Sequence, residues 1–134
     1  MSKNIINLSF IIPAYNEELI IKDTISSICN HIPDSLNYEI IVVNHNSTDN
    51  TSIIASSMGA KVINKVDGSI ASARNLGASA ARGTILIFLD ADVLLTKKWM
   101  LNINIAVKNI ASDKTILTGS WVSVPDDASW IEKA

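Results

Sequence analysis

One cysteine, Cys29, in 134 residues excludes an internal disulfide and suits a reducing compartment. Charge is sparse as well. Only 18% of residues are charged, the net charge is −2, and no cluster of lysine and arginine exceeds Lys97-Lys98. A nucleic-acid binder would show a basic stripe, and this chain has none. No apolar run approaches the ~20 residues that span a bilayer. The apolar stretch from Ile5 to Ile12 is short, broken by Asn7 and Ser9, and followed by Pro13, so it does not read as a signal peptide. Internal repeats and low-complexity linkers are missing too. What is present is a 48% hydrophobic chain, enough to build one core. These features lead us to expect a single soluble domain, cytoplasmic, with at most a peripheral place at the cytoplasmic membrane face.

Short apolar runs alternate with stretches of helical period. Residues 8–12 read as a buried strand halted by Pro13, and residues 39–43 as a second. Between them, Asn16-Glu17-Glu18 resembles a capped helix start, and Ile21, Ile25, Ile28 and Ile32 fall on one helical face. Cys29 is expected in the core beside that face. Ser47-Thr48-Asp49 is expected to open a second helix that stops at Gly59, ahead of a short strand at 61–63. Gly68-Ser69 opens a third helix whose inner face reads Ile70, Ala73, Gly77, Ala80 and Ala81. Residues 84–89 form a fourth strand, Thr96 caps a fourth helix packed by Trp99, and 115–124 read as a fifth strand. This alternation predicts an α/β fold, a mostly parallel sheet with helices on both faces.

In such sheets ligands gather at the carboxyl ends of the strands, where strand order reverses. Pro13-Ala14-Tyr15, Asn44-His45-Asn46 and Asp90-Ala91-Asp92 all lie just past a strand's end, so three polar turns are expected on one rim. The last of them poses a physical question. The run Ile85-Leu86-Ile87-Phe88-Leu89 ends on two carboxylates, and two such groups about 4 Å apart repel by roughly 4 kcal/mol at an effective dielectric of about 20. A divalent cation shared with a diphosphate would turn that repulsion into attraction, and hard oxygen ligands suit Mg²⁺ or Mn²⁺. The plainer reading is a solvated acidic turn that only stops a strand.

Four segments in order, "SFIIPAYNEE" (9–18), "EIIVVNHNSTDNT" (39–51), "ASARNLGASAARG" (71–83) and "ILIFLDADV" (85–93), resemble family 2 of the glycosyltransferases, inverting enzymes with a nucleotide-diphospho-sugar-binding GT-A fold. The resemblance implies a UDP- or GDP-sugar donor and a divalent metal. It implies that Asp90 reaches the ribose, through water or metal, and that Asp92 ligates the metal, with Ala91 between them. Arg74 would approach the diphosphate or the base edge. Pro13, Ala14 and Tyr15 would hold the base or ribose, and Glu17 would support the base-binding loop, or else simply favour a helix dipole.

After the second strand the chain departs from that family's aspartates and carries Asn44, His45 and Asn46, with Asn44 or His45 as the neutral candidate for the base contact. Inverting transfer also needs a general base. The family supplies it from an acceptor half, so the base is expected beyond Ala134; Asp126-Asp127 are weaker candidates. The chain therefore reads as the donor-binding half alone, at 1–134. A non-catalytic nucleotide-sugar-binding module remains the alternative. An aspartyl phosphatase is disfavoured, because its acid pair follows the first strand and Leu94 stands where a Thr or Val is expected.

Overall fold

The computed structural model describes residues 6–109. The element order is β1 (Leu8–Ala14), α1 (Ile21–His31), β2 (Tyr38–His45), α2 (Thr51–Ser57), β3 (Lys61–Lys65), α3 (Ile70–Ala80), β4 (Ile85–Phe88) and α4 (Lys97–Asn109). The four strands make one parallel sheet in the order β3-β2-β1-β4. The expected strand at 115–124, like Asp113, Trp121, Asp126-Asp127 and Trp130, lies outside the described residues.

Period-two alternation divides the core between the two faces. Leu8, Phe10, Ile12 and Ala14 of β1, with Ile40 and Val42 of β2 and Ile85 and Ile87 of β4, pack under α1, α2 and α4. Ile21, Ile25 and Ile28 fill that interface from α1, and Trp99 of α4 packs on Phe10 with ring centroids 6.4 Å apart. The opposite face is thinner. Ile41 and Val43 meet Ala73, with Leu76, Ala80 and Ala81 alongside. A Cβ on Gly77 would stand 2.4 Å from Cγ2 of Ile11, so glycine is what lets α3 lie this close to β1.

At the amino end of the sheet, Glu39 ties three elements together. Ser9, fully buried, donates its hydroxyl to Oε1 of Glu39 (2.6 Å) and accepts from the Gly83 amide (2.8 Å), while the Arg82 amide donates to the same carboxylate oxygen (2.6 Å).

Several expectations are corrected. Pro13 does not halt β1, which continues through Ala14 and keeps register with β2 as far as Ala14↔Asn44. The Ile11 carbonyl accepts from Leu89 on the β4 side, and residues two apart point the same way. The missing Pro13 N–H therefore faces a side where paired register with β4 has already ended at Phe88. α1 starts at Ile21 and α2 at Thr51, each later than the Asx and Ser/Thr signals suggest. Ile70 is exposed rather than inward, and so is Cys29. The caps Ser69 and Thr96 behave as expected, accepting from the Ser72 amide (3.1 Å) and the Trp99 amide (3.2 Å). Among the described residues no helix is long and apolar enough to cross a membrane.

Candidate active site at the strand-order switch

From β1 the chain winds outward through β2 and β3, then returns to the other side of β1 as β4. The reversal falls between β1 and β4, and at their carboxyl ends lie Ala14-Tyr15 and Asp90. Tyr15 is 60% exposed, leaving an aromatic face open at this point. The segment after β4 is held from beneath by α1. Thr24, fully buried on that helix, donates its hydroxyl to the Ala91 carbonyl (2.5 Å), and Ser27 accepts from the Leu95 amide (3.0 Å). With Val93 N–H closing a turn on the Asp90 carbonyl (3.1 Å), Ala91 is buried as the anchor while Asp90 and Asp92 stay exposed on either side. Neither Thr24 nor Ser27 was expected to matter. Their signal was a pair of hydroxyl residues set within the apolar Ile21–Ile25–Ile28 face.

Arg74 reaches this turn from α3 and places Nη2 2.8 Å from Oδ1 of Asp90. The other acid has different neighbours. Burial, then the charges of Asp92 and Asp49, push the Glu17 carboxyl above its usual range. The rim beside β4 is thus negative at Glu17, Asp49 and Asp92, and Asp90 is partly neutralised.

Glu17 belongs to a loop that interlocks with the one after β2. Its amide donates to Thr51 Oγ1 (2.8 Å), the Asn16 amide to Ser47 Oγ (3.0 Å) and the Glu18 amide to Asp49 (3.2 Å). In return Asn16 accepts from the Thr48 amide (2.8 Å) and Glu18 from the Asn50 amide (3.1 Å). Asn16 and Asn46 both hold left-handed backbone, with φ of 51° and 58°. Asn44, buried at the end of β2, donates to Asn64 Oδ1 (3.0 Å) and accepts from the Ser47 amide (3.3 Å). Its carboxamide is engaged in the scaffold, whereas His45 is half-buried at the rim. The structure therefore brings Ala14, Tyr15, Glu17, Arg74, Asp90 and Asp92 to one edge, and sets Asn44, His45 and Asn46 beside it. Pro13 is half-buried within β1.

Among the described residues no three histidine, cysteine, aspartate or glutamate side chains converge as a metal cage. Two exposed carboxylates on one turn offer hard oxygen donors of the type that Mg²⁺ takes when substrate phosphates and water supply its other ligands. The residues present fit that kind of site.

The family model for glycosyl transferase family 2 matches residues 9–134. The chain belongs to glycosyl transferase family 2. Curated relatives of this family include the minor teichoic acid biosynthesis protein GgaB of Bacillus subtilis, 34% identical over 103 residues (72% of this chain, 11% of that protein). The 4,4'-diaponeurosporenoate glycosyltransferase of Staphylococcus haemolyticus is 38% identical over 102 residues (71% and 26%). Among solved structures, S. aureus TarS 1-349, crystallised also with UDP and with UDP-GlcNAc, superposes with a TM-score of 0.71 at 26% identity (81% of this chain, 34% of that one). Glucosyl-3-phosphoglycerate synthase of Mycobacterium tuberculosis, solved with Mg²⁺ and UDP, gives 0.55 at 32% identity (66% and 34%). The chain thus spans well under half the length of these relatives. The four-stranded parallel sheet and the helices of the described residues are those of the GT-A, Rossmann-like fold.

Proposed function

We infer that the chain is the donor-binding part of a glycosyltransferase, taking a nucleotide-diphospho-sugar together with Mg²⁺ or Mn²⁺ for inverting transfer to a saccharide, lipid or protein acceptor. The observation that carries this reading is the meeting of Asp90, Asp92 and Arg74 at the strand-order switch, with Tyr15 open beside them. UDP is the first donor nucleotide to test, because relatives of both solved kinds bind it.

In this reading Asp92 holds the cation and Asp90 faces the ribose or shares the cation. Ala14 and Tyr15 flank the base, and Arg74 turns its planar fork to phosphate oxygens. Glu17 and the loop it locks fix the base side, with His45 at its margin. A bound cation supplies Lewis-acid stabilisation of the charge that gathers on the departing diphosphate. The chain's own residues bind and orient the donor. Deprotonation of the acceptor is assigned to none of the described residues. A second reading, a nucleotide-sugar-binding module without transfer, draws on Asn44, whose carboxamide is spent on Asn64 and Ser47.

Calorimetry of UDP-sugars and GDP-sugars with Mn²⁺, on the wild type and on Asp92→Ala, tests the proposal. Donor binding that needs Mn²⁺ and weakens at least tenfold in Asp92→Ala is expected. Equal binding by both proteins removes Asp92 as the metal ligand, and release of free sugar from the donor removes the module reading.

A further inference from the structure

Arg74 and Asp90 come from different elements, α3 and the turn after β4, and their contact at 2.8 Å is a choice between partners. The two side chains are 41% and 61% exposed, so the pair stands largely in water, where ion pairs are weak. The guanidinium is also poorly served. Its Nε is enclosed yet has no hydrogen-bond partner among the described residues, and one nitrogen on one carboxylate oxygen is less than the two parallel bonds this fork is built to make. A diphosphate offers several oxygens and more charge. At the same time, the arginine occupies the carboxylate that a divalent cation would approach.

Resting on the donor reading above, we propose that Arg74 is a latch on Asp90. It competes with the cation for that carboxylate while no nucleotide is present, and it is drawn off by the diphosphate. Metal and nucleoside diphosphate then help one another through this residue. The cation alone meets a carboxylate already paired. A diphosphate that takes the guanidinium leaves Asp90 free and supplies oxygen ligands of its own. By linkage, the factor by which the nucleotide tightens the metal equals the factor by which the metal tightens the nucleotide. Arg74 thereby lowers retention of bare metal and favours loading of the two together.

Mn²⁺ affinity, read by electron paramagnetic resonance or calorimetry with and without UDP, tests this. Without UDP, Arg74→Gln is expected to bind Mn²⁺ about fivefold more tightly than the wild type, the scale that an exposed pair can withhold. With saturating UDP that advantage is expected to vanish. Asp90→Asn separates competition from simple repulsion through space. In that background, with Mn²⁺ raised until uptake is measured, Arg74→Gln should leave Mn²⁺ affinity unchanged.

An equal gain in the Asp90→Asn background, or none in the wild-type background, overturns the latch and leaves the donor reading standing if UDP and Mn²⁺ still bind together. Failure of every variant to bind Mn²⁺, with or without UDP, overturns both.

Discussion

Glu39 and Glu17 lie at opposite ends of the sheet, and their protons answer to opposite surroundings. Burial alone would push the Glu39 carboxyl up. The Ser9 hydroxyl and the amide and charge of Arg82 more than reverse that, leaving it below its usual range. A carboxyl depressed by folding contributes stability that is present above its unfolded pKa and is lost as pH falls through the folded value. Glu39→Ala strips the acceptor from Ser9 and Arg82, and is expected to cost about 2–3 kcal/mol in urea denaturation at pH 7. That difference should shrink once the pH falls below the depressed value; a constant difference would mean that the loss is one of packing.

Glu17 has the other sign. Burial, Asp92 and Asp49 raise its carboxyl, so its favourable contribution is present below the ordinary glutamate range and is lost as pH rises through the raised value. Glu17→Gln is therefore expected to raise the Tm of the ligand-free protein at pH 7 and to leave it unchanged near pH 4. A lower Tm at pH 7 would show that the charge has a stabilising partner.

Among the described elements, the four strands and the starts of α3 and α4 were legible from sequence, and the starts of α1 and α2 were not. α3 follows directly from Ser69 and from small residues at helical spacing, because its cap and its buried face act locally. α1 and α2 mislead for a shared reason. Asn16, Ser47, Thr48 and Asp49 have the composition of amino-terminal caps, yet most of their hydrogen bonds run across to the other loop rather than into the helix that follows. A residue string cannot tell a cap for its own helix from a clamp on a loop about 30 positions away. The placing of the rim was readable, because three turns follow the carboxyl ends of strands that alternate with helices. Its support from Thr24 and Ser27 depends on how α1 packs, which only the fold supplies.

Thr51 is the centre of that clamp. Fully buried, it accepts from the Glu17 amide and donates to Asp49. Thr51→Val keeps the shape and leaves the Glu17 amide unpaired, so a loss of about 1–3 kcal/mol is expected. The loop carrying Glu17 should also loosen, visible as faster amide hydrogen exchange at residues 16–18 with little change in β2. Uniform acceleration across the sheet would instead mean that the threonine supports the whole core.

Across the whole molecule, the parallel sheet separates the groups that hold it together from those proposed to hold a donor. The Ser9–Glu39–Arg82 knot closes the amino end, while Asp90, Asp92 and Arg74 stand in or near water at the carboxyl end. A crevice of about 470 Å³ at the amino end, lined by Cys29, Tyr38, Lys61 and Arg82, is remote from those acids and plays no part in the donor reading. Distant sites with no shared partners have additive effects, so stability and ligand response should come apart on mutation.

A ligand at about 100 times its Kd stabilises by about 2.7 kcal/mol, which for a chain this long raises Tm by about 8 °C. UDP with Mn²⁺ is expected to give the wild type a shift of that order. Glu39→Ala should melt lower than the wild type and still show the full ligand shift. Asp92→Ala should do the reverse, with its unliganded Tm unchanged or slightly higher as Glu17 loses a repulsive neighbour, and with the Mn²⁺-dependent part of the shift gone. If Glu39→Ala lost the ligand shift along with its stability, the two ends of the sheet would be coupled. The donor site would then depend on the global rigidity of the fold rather than on the acids at its rim.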